Sequence, residues 1–184
     1  MGLLLAFAPF IAFALLNHLA GAATGLTAGA AVAAALLLRD WMTPGRTAKV
    51  LEIGTVLLFG GLALYAFAGG PAWSIVRVRL WVDAGLLLIV LVSMAIRQPF
   101  TIQYARERVA RTLWDNPVFV RTNYIITGVW AVAFAVMVIA DVSLLRIPAV
   151  PASISIVATV LALVGAIQFT GWYPRRVRAG VARP

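Results

Sequence analysis

At 184 residues, 63% of them hydrophobic and 11% charged, the chain carries more apolar side chain than a soluble domain of its size can hide, since ordinary domains hold about 45–50% and about 25%. Its net charge of +9 does not point to nucleic acid, because the basic residues lie in short connectors between apolar runs and not on one soluble face. With no cysteine and one histidine, His18, the chain has no disulfides, thiolate catalysis or multi-histidine metal or haem site of its own, and no cofactor is expected.

The apolar runs predict an all-α, polytopic membrane helix bundle of about six spans. The first runs from about Leu3 to Ala20, with Pro9 inside it as a candidate kink. Ala20-Gly21-Ala22 has cleavage-like spacing, but no Lys or Arg precedes the run, so it reads as a retained span. The second covers about Gly21 to Leu38, which makes the first connection very tight. The third covers about Val50 to Ala68 and ends at Gly69-Gly70-Pro71. The fourth covers about Leu80 to Ile96 and stops at Arg97-Gln98-Pro99. The fifth runs from about Pro117 to Asp141, with Asp115 or Asn116 as its cap. The sixth covers about Ala152 to Trp172. These runs are continuously apolar, without the alternation of a membrane β-barrel.

The connectors set the orientation. Arg39, Arg46 and Lys49 lie in one, Arg97, Arg106, Arg108, Arg111 and Arg121 in another, and Arg175, Arg176, Arg178 and Arg183 in the tail. Only Arg77, Arg79 and Arg146 fall on the opposite side. The positive-inside rule then places both termini in the cytoplasm. One transmembrane domain is expected over 1–174, with a basic cytoplasmic tail over 175–184. Between the fourth and fifth spans, Thr101 to Trp114 reads as an amphipathic helix, with Ile102, Ala105, Val109 and Leu113 near one stripe. Such a helix is expected in the headgroup plane, with Arg106, Arg108 and Arg111 on anionic lipid headgroups.

Gly21, Gly25 and Gly29 form overlapping GxxxG units, continued by Ala33, that predict close packing within the chain or between copies in a homo-oligomer. Gly60-Gly61 and Gly85 mark further candidate crossings. Glu52 and Asp83 are the candidate functional carboxylates. Each lies near a boundary with a basic residue one turn away, Lys49 and Arg79, so local pairing with snorkelling is the structural alternative. Asp141 reads as a boundary marker. Asn17 and His18 read as polar groups at the outer headgroup level, with proton relay the sharper alternative. Gln98, Gln103, Tyr104, Asn123, Tyr124, Thr127, Gln168 and Thr170 can line a shallow cytoplasm-facing pocket for a headgroup or small ligand. Interhelical hydrogen bonding explains them equally. Trp41, Trp73, Trp81, Trp114 and Trp172 sit as an aromatic belt, while Trp130 is expected inside the bundle. No phosphate loop, nucleophile elbow or metal motif is present, so no catalytic or metal-binding residue is assigned.

Several stretches in order resemble the bacterial intracellular septation protein A family. They are Pro9-Phe10 in the first run, Gly60-Gly61-Leu62, the Trp73 region, Ser93 followed by Arg97-Gln98-Pro99, and Asn123 followed by Trp130-Ala131-Val132. The resemblance covers roughly residues 5–145; Gln103 to Glu107 and the arginine tail depart from the pattern. It implies a small multi-pass protein of the bacterial inner membrane that supports envelope synthesis and cell division through partner membrane proteins, with no catalytic residues. Two functions stay open at this point. One is a non-enzymatic protein that binds partners or lipids. The other is a small transporter or channel for an ion, metabolite or lipid, which would need a buried acid on a water-filled path.

Overall fold

Lipid offers backbone amides no partner, so continuous apolar runs are driven to bond within themselves as helix. The computed structural model describes residues 5–44, 47–69, 74–147, 149 and 151–181. Among these the regular elements are seven α-helices and one 3-10 turn, with no strand. Four of the helices are long and apolar enough to cross a membrane. The start of the expected first span, Arg46, Gly70-Pro71, Trp73 and Arg183 lie outside the described residues. The chain groups into two compact units, Met1–Ile89 and Val90–Pro184.

The first unit holds α1 (Ala8–Ala20), α2 (Ala22–Met42), α3 (Val50–Phe67) and most of α4 (Ile75–Ala95). The helical run is interrupted beside Pro9, as expected: Leu5 is helical, Ala6-Phe7 form a turn, and α1 starts at Ala8 with Pro9 in its first turn, where a missing N–H costs nothing. Gly21 alone separates α1 from α2, at φ 86°, a conformation that side chains with a Cβ disfavour. It is a hinge and not a contact, since a Cβ there would meet nothing within 4 Å. The other two glycines of the stripe do pack. A Cβ on Gly25 would lie 2.8 Å from the Asn17 backbone nitrogen on α1, and one on Gly29 would lie 2.7 Å from the Phe59 ring of α3. Phe59 is thereby seated beside Phe10 and Phe13, with ring centroids 5.1 and 5.5 Å away. Phe13, Leu26, Phe59, Ala63, Val78 and Val82 form the core of this unit. Gly85 of α4 packs on Leu58 and Gly54 of α3 on Ile89, so these helices cross closely there. The crossing expected at Gly60-Gly61 does not occur, because neither position has a neighbour within 4 Å of a built Cβ.

The second unit holds the end of α4, α5 (Phe100–Arg106), the 3-10 turn (Arg111–Leu113), α6 (Pro117–Arg146) and α7 (Ala152–Val181). α4 closes in a Schellman turn: Gln98 N–H donates to Ser93 C=O at 2.9 Å and Arg97 N–H to Met94 C=O at 3.1 Å. The left-handed position of this turn, usually glycine, is Arg97 at φ 59°. Asn116 caps α6, its Oδ1 accepting from Val118 and Phe119 N–H at 2.9 and 3.4 Å, with Pro117 in the first turn. α6 and α7 each run 30 residues, about 45 Å of helix against about 30 Å of hydrocarbon. Asp141 does not end the helix. α6 continues to Arg146 and Asp141 is fully buried. α7 likewise runs on past Trp172 through Arg175, Arg176 and Arg178 to Val181.

Polarity in both units is inverted relative to a soluble fold. Asn17, Asp40, Lys49, Glu52, Thr55, Asp83, Ser93, Thr101, Asn123, Thr127, Asp141 and Ser155 are buried, while Leu57 and Leu161 are 70% and 67% exposed. Large exposed apolar faces on long helices suit lipid as the surrounding solvent.

Candidate functional site

The densest charge lies where α2 ends and α3 begins. Arg39 and Asp40 close α2, Lys49 is the residue before α3, and Glu52 is in its first turn. Arg39 donates from Nε and Nη2 to Asp40 Oδ1 at 2.9 and 2.7 Å. Lys49 Nζ bonds Asp40 Oδ2, and Glu52 Oε1 lies 3.2 Å from the same ammonium. Glu52 Oε2 also accepts from the Lys49 backbone N–H at 3.4 Å, which satisfies a donor at the helix start. Two cations and two anions balance. The local pairing of Glu52 with Lys49 is present, but Asp40, Lys49 and Glu52 are 1, 3 and 6% exposed, so the pair belongs to a buried ion group instead of snorkelling. Asp83 is also buried, on α4 one turn from Arg79.

In the second unit the buried polar groups are mostly neutral. Ser93 Oγ donates to Val90 C=O at 2.6 Å and accepts from Phe100 N–H at 3.2 Å, which ties α4 to α5 across the Arg97 turn. Thr101 Oγ1 donates to Asn123 C=O at 3.0 Å and lies 2.7 Å from Thr127 Oγ1, fixing α5 on α6. Asn123 Nδ2 donates to Phe119 C=O at 2.9 Å. Trp130, inside as expected, donates from Nε1 to Thr170 Oγ1 at 2.9 Å, tying α6 to α7. Phe100 meets its ring edge-on at 6.4 Å. Ser155 Oγ donates to Asp141 Oδ1 at 3.4 Å.

Of the residues expected to line a pocket, Thr127 and Thr170 bond between helices, the Asn123 side chain bonds Phe119 C=O on its own helix while its backbone C=O accepts from Thr101, Tyr104 is buried, and Gln103 Nε2 donates to exposed Gln98 Oε1 at 3.3 Å. Gln168 is exposed. Asn17 is buried and His18 beside it is exposed.

The connector from α4 to α6 is not one helix over Thr101–Trp114. α5 stops at Arg106, and a turn and the 3-10 segment come after it. Its inward residues are Phe100, Thr101, Ile102 and Tyr104, while Val109 is half-buried and Leu113 is exposed, so the expected stripe is not one surface. Beyond α5 the chain forms an arginine–tryptophan turn: the Arg106 and Arg111 guanidinium carbons lie 5.1 and 5.7 Å from the Trp114 ring centroid, and Arg108 is exposed. A similar contact ends α7, with Arg176 5.2 Å from the Trp172 ring. Among the described residues no group of three or more His, Cys, Asp or Glu side chains could hold a metal ion. Compared with known protein families, with curated proteins and with solved structures, the chain matches none of them.

Reading the sequence alone missed Asp40 and the burial of Asp141. The signal for Asp40 was available. An Arg-Asp pair closes one apolar run, Thr43-Pro44 breaks the chain, and a Lys-x-x-Glu opens the next run.

Proposed function

We propose that this chain is a six-span protein of the bacterial inner membrane, with both ends cytoplasmic. It acts without chemistry of its own, binding anionic lipid headgroups and partner membrane proteins of envelope synthesis or division. One observation carries this reading: the carboxylates Asp40 and Glu52 are consumed by Lys49 and Arg39, whereas arginines of the basic connector lie on an indole or at the surface. Ionised groups that carry a substrate are left open to it, and a closed ion quartet holds helices instead. Guanidinium over tryptophan at a span boundary suits the headgroup layer. The septation-family resemblance supplies the envelope setting. Native mass spectrometry of the full chain, extracted in mild detergent, should show retained anionic phospholipid or a membrane-protein partner. Recovery of the protein bare of both would overturn the reading. A reporter at the C-terminus should read cytoplasmic and one at Gly69 external; the reverse would end the six-span topology.

A further inference from the structure

We propose that the turn between α5 and α6 is a discrete phosphate site, built from Arg106, Arg111 and the indole N–H of Trp114. Two polar atoms there are buried with no acceptor among the described residues, Arg106 Nε and Trp114 Nε1. A buried donor without an acceptor is costly, and most such donors in proteins are met. Here the two belong to side chains already in contact, with the Arg106 guanidinium 5.1 Å from the indole centroid. Arg111 adds a second guanidinium at 5.7 Å from the same ring. Stacking occupies the face of the indole, while its N–H lies in the ring plane and, like Arg106 Nε, is closed to solvent, so an oxygen reaches the two donors as the stacked arginine side chains reorient around it. The missing partner must therefore accept several bonds from different directions and carry negative charge. A tetrahedral phosphate does both and is the usual partner of paired arginines. The neighbouring carboxylates, Glu107 and Asp115, are exposed, as is Arg108.

The proposal deepens the lipid-binding reading and rests on it for the lipid source. The same chemistry recognises a phospholipid phosphodiester or a soluble phosphate. The full chain, labelled with 15N-tryptophan, is placed in dodecyl maltoside, which contains no phosphate. One arm receives phosphatidylglycerol and the other inorganic phosphate. Trp114→Phe, which keeps a ring and deletes the N–H, identifies the Trp114 indole peak among six tryptophans. We expect that peak to move downfield with phosphatidylglycerol while the other five stay. Arg106→Gln should weaken the response about tenfold or more, the loss of one hydrogen bond to a charged group, and Arg108→Gln should leave it unchanged. Movement with inorganic phosphate alone keeps the site and makes its ligand soluble. A peak that stays still in both arms overturns the site, even where mass spectra show retained phosphatidylglycerol and the broader reading survives. Equal losses for Arg106→Gln and Arg108→Gln also overturn it, since diffuse positive charge would then suffice.

Discussion

The two units solve the same problem, how to hold helices together where burial from water supplies no drive, with different chemistry. The first buries full charges, Lys49 between Asp40 and Glu52, and packs through glycines at Gly25, Gly29 and Gly85. The second uses mostly neutral groups, Thr101 with Asn123 and Thr127, and Trp130 with Thr170, with Asp141 on Ser155 as its buried carboxylate. An ion group is nearly all-or-nothing, because removing one member strands the others in low dielectric. A hydroxyl pair fails gently, since each partner finds another acceptor on its own helix.

The largest expected effect tests that asymmetry. Lys49→Met leaves Asp40 and Glu52 buried without their shared cation and should cost about 3–5 kcal/mol, read as the unfolding midpoint of the full chain in mixed micelles. The triple replacement Asp40→Leu, Lys49→Met, Glu52→Met should recover most of that loss. If Lys49→Met alone costs under about 1 kcal/mol, the first unit does not depend on its charges. Next, Gly25→Leu drives a side chain into the α1 backbone and should cost about 1–3 kcal/mol. Gly60→Leu, with open space around it, should be near neutral. Similar losses at both positions would mean that Gly25 is not a crossing point. In the second unit, Thr101→Val should cost only about 0.6–1.7 kcal/mol, the range of interhelical hydrogen bonds in membranes. A loss as large as that of Lys49→Met would erase the contrast between the units. Smallest, and opposite in sign, Arg97→Gly should stabilise by up to about 1 kcal/mol by relieving a left-handed residue. A destabilised Arg97→Gly would show that the guanidinium holds the turn by a contact worth more than the strain.

Most of the fold was legible because lipid enforces simple rules: long apolar runs become helices, Asn-Pro opens α6, Gly25 sits against the α1 backbone, and Gly29 sits against the Phe59 ring. Three features were not legible, each for a physical reason. Asp40 beside Arg39 looks locally satisfied, so its bond to Lys49 shows only when the Arg-Asp end of one run is read together with the Lys-x-x-Glu start of the next. Asp141 near the end of an apolar run reads as the run's limit, and its bond to Ser155 on α7 cannot be seen from its own helix. The stripe from Ile102 to Leu113 has helical spacing, but Thr101 is bonded to Asn123 and Thr127, which sets the face of α5 by tertiary contact. Propensity yields to such contacts in a helix of seven residues.

The single residue between α1 and α2 bears on how the chain is made. α1 has 13 residues, about 20 Å of helix against about 30 Å of hydrocarbon, so it is a poor stop during synthesis. Joined to α2 through Gly21 alone, it leaves no loop to be carried across ahead of its neighbour. On the six-span topology proposed above, the two helices then insert as one antiparallel hairpin, with Gly25 against the Asn17 backbone. Lengthening the connection at Gly21 would uncouple that step. On that topology it would also place a cleavable strand outside the cytoplasm where the native chain presents only a bend.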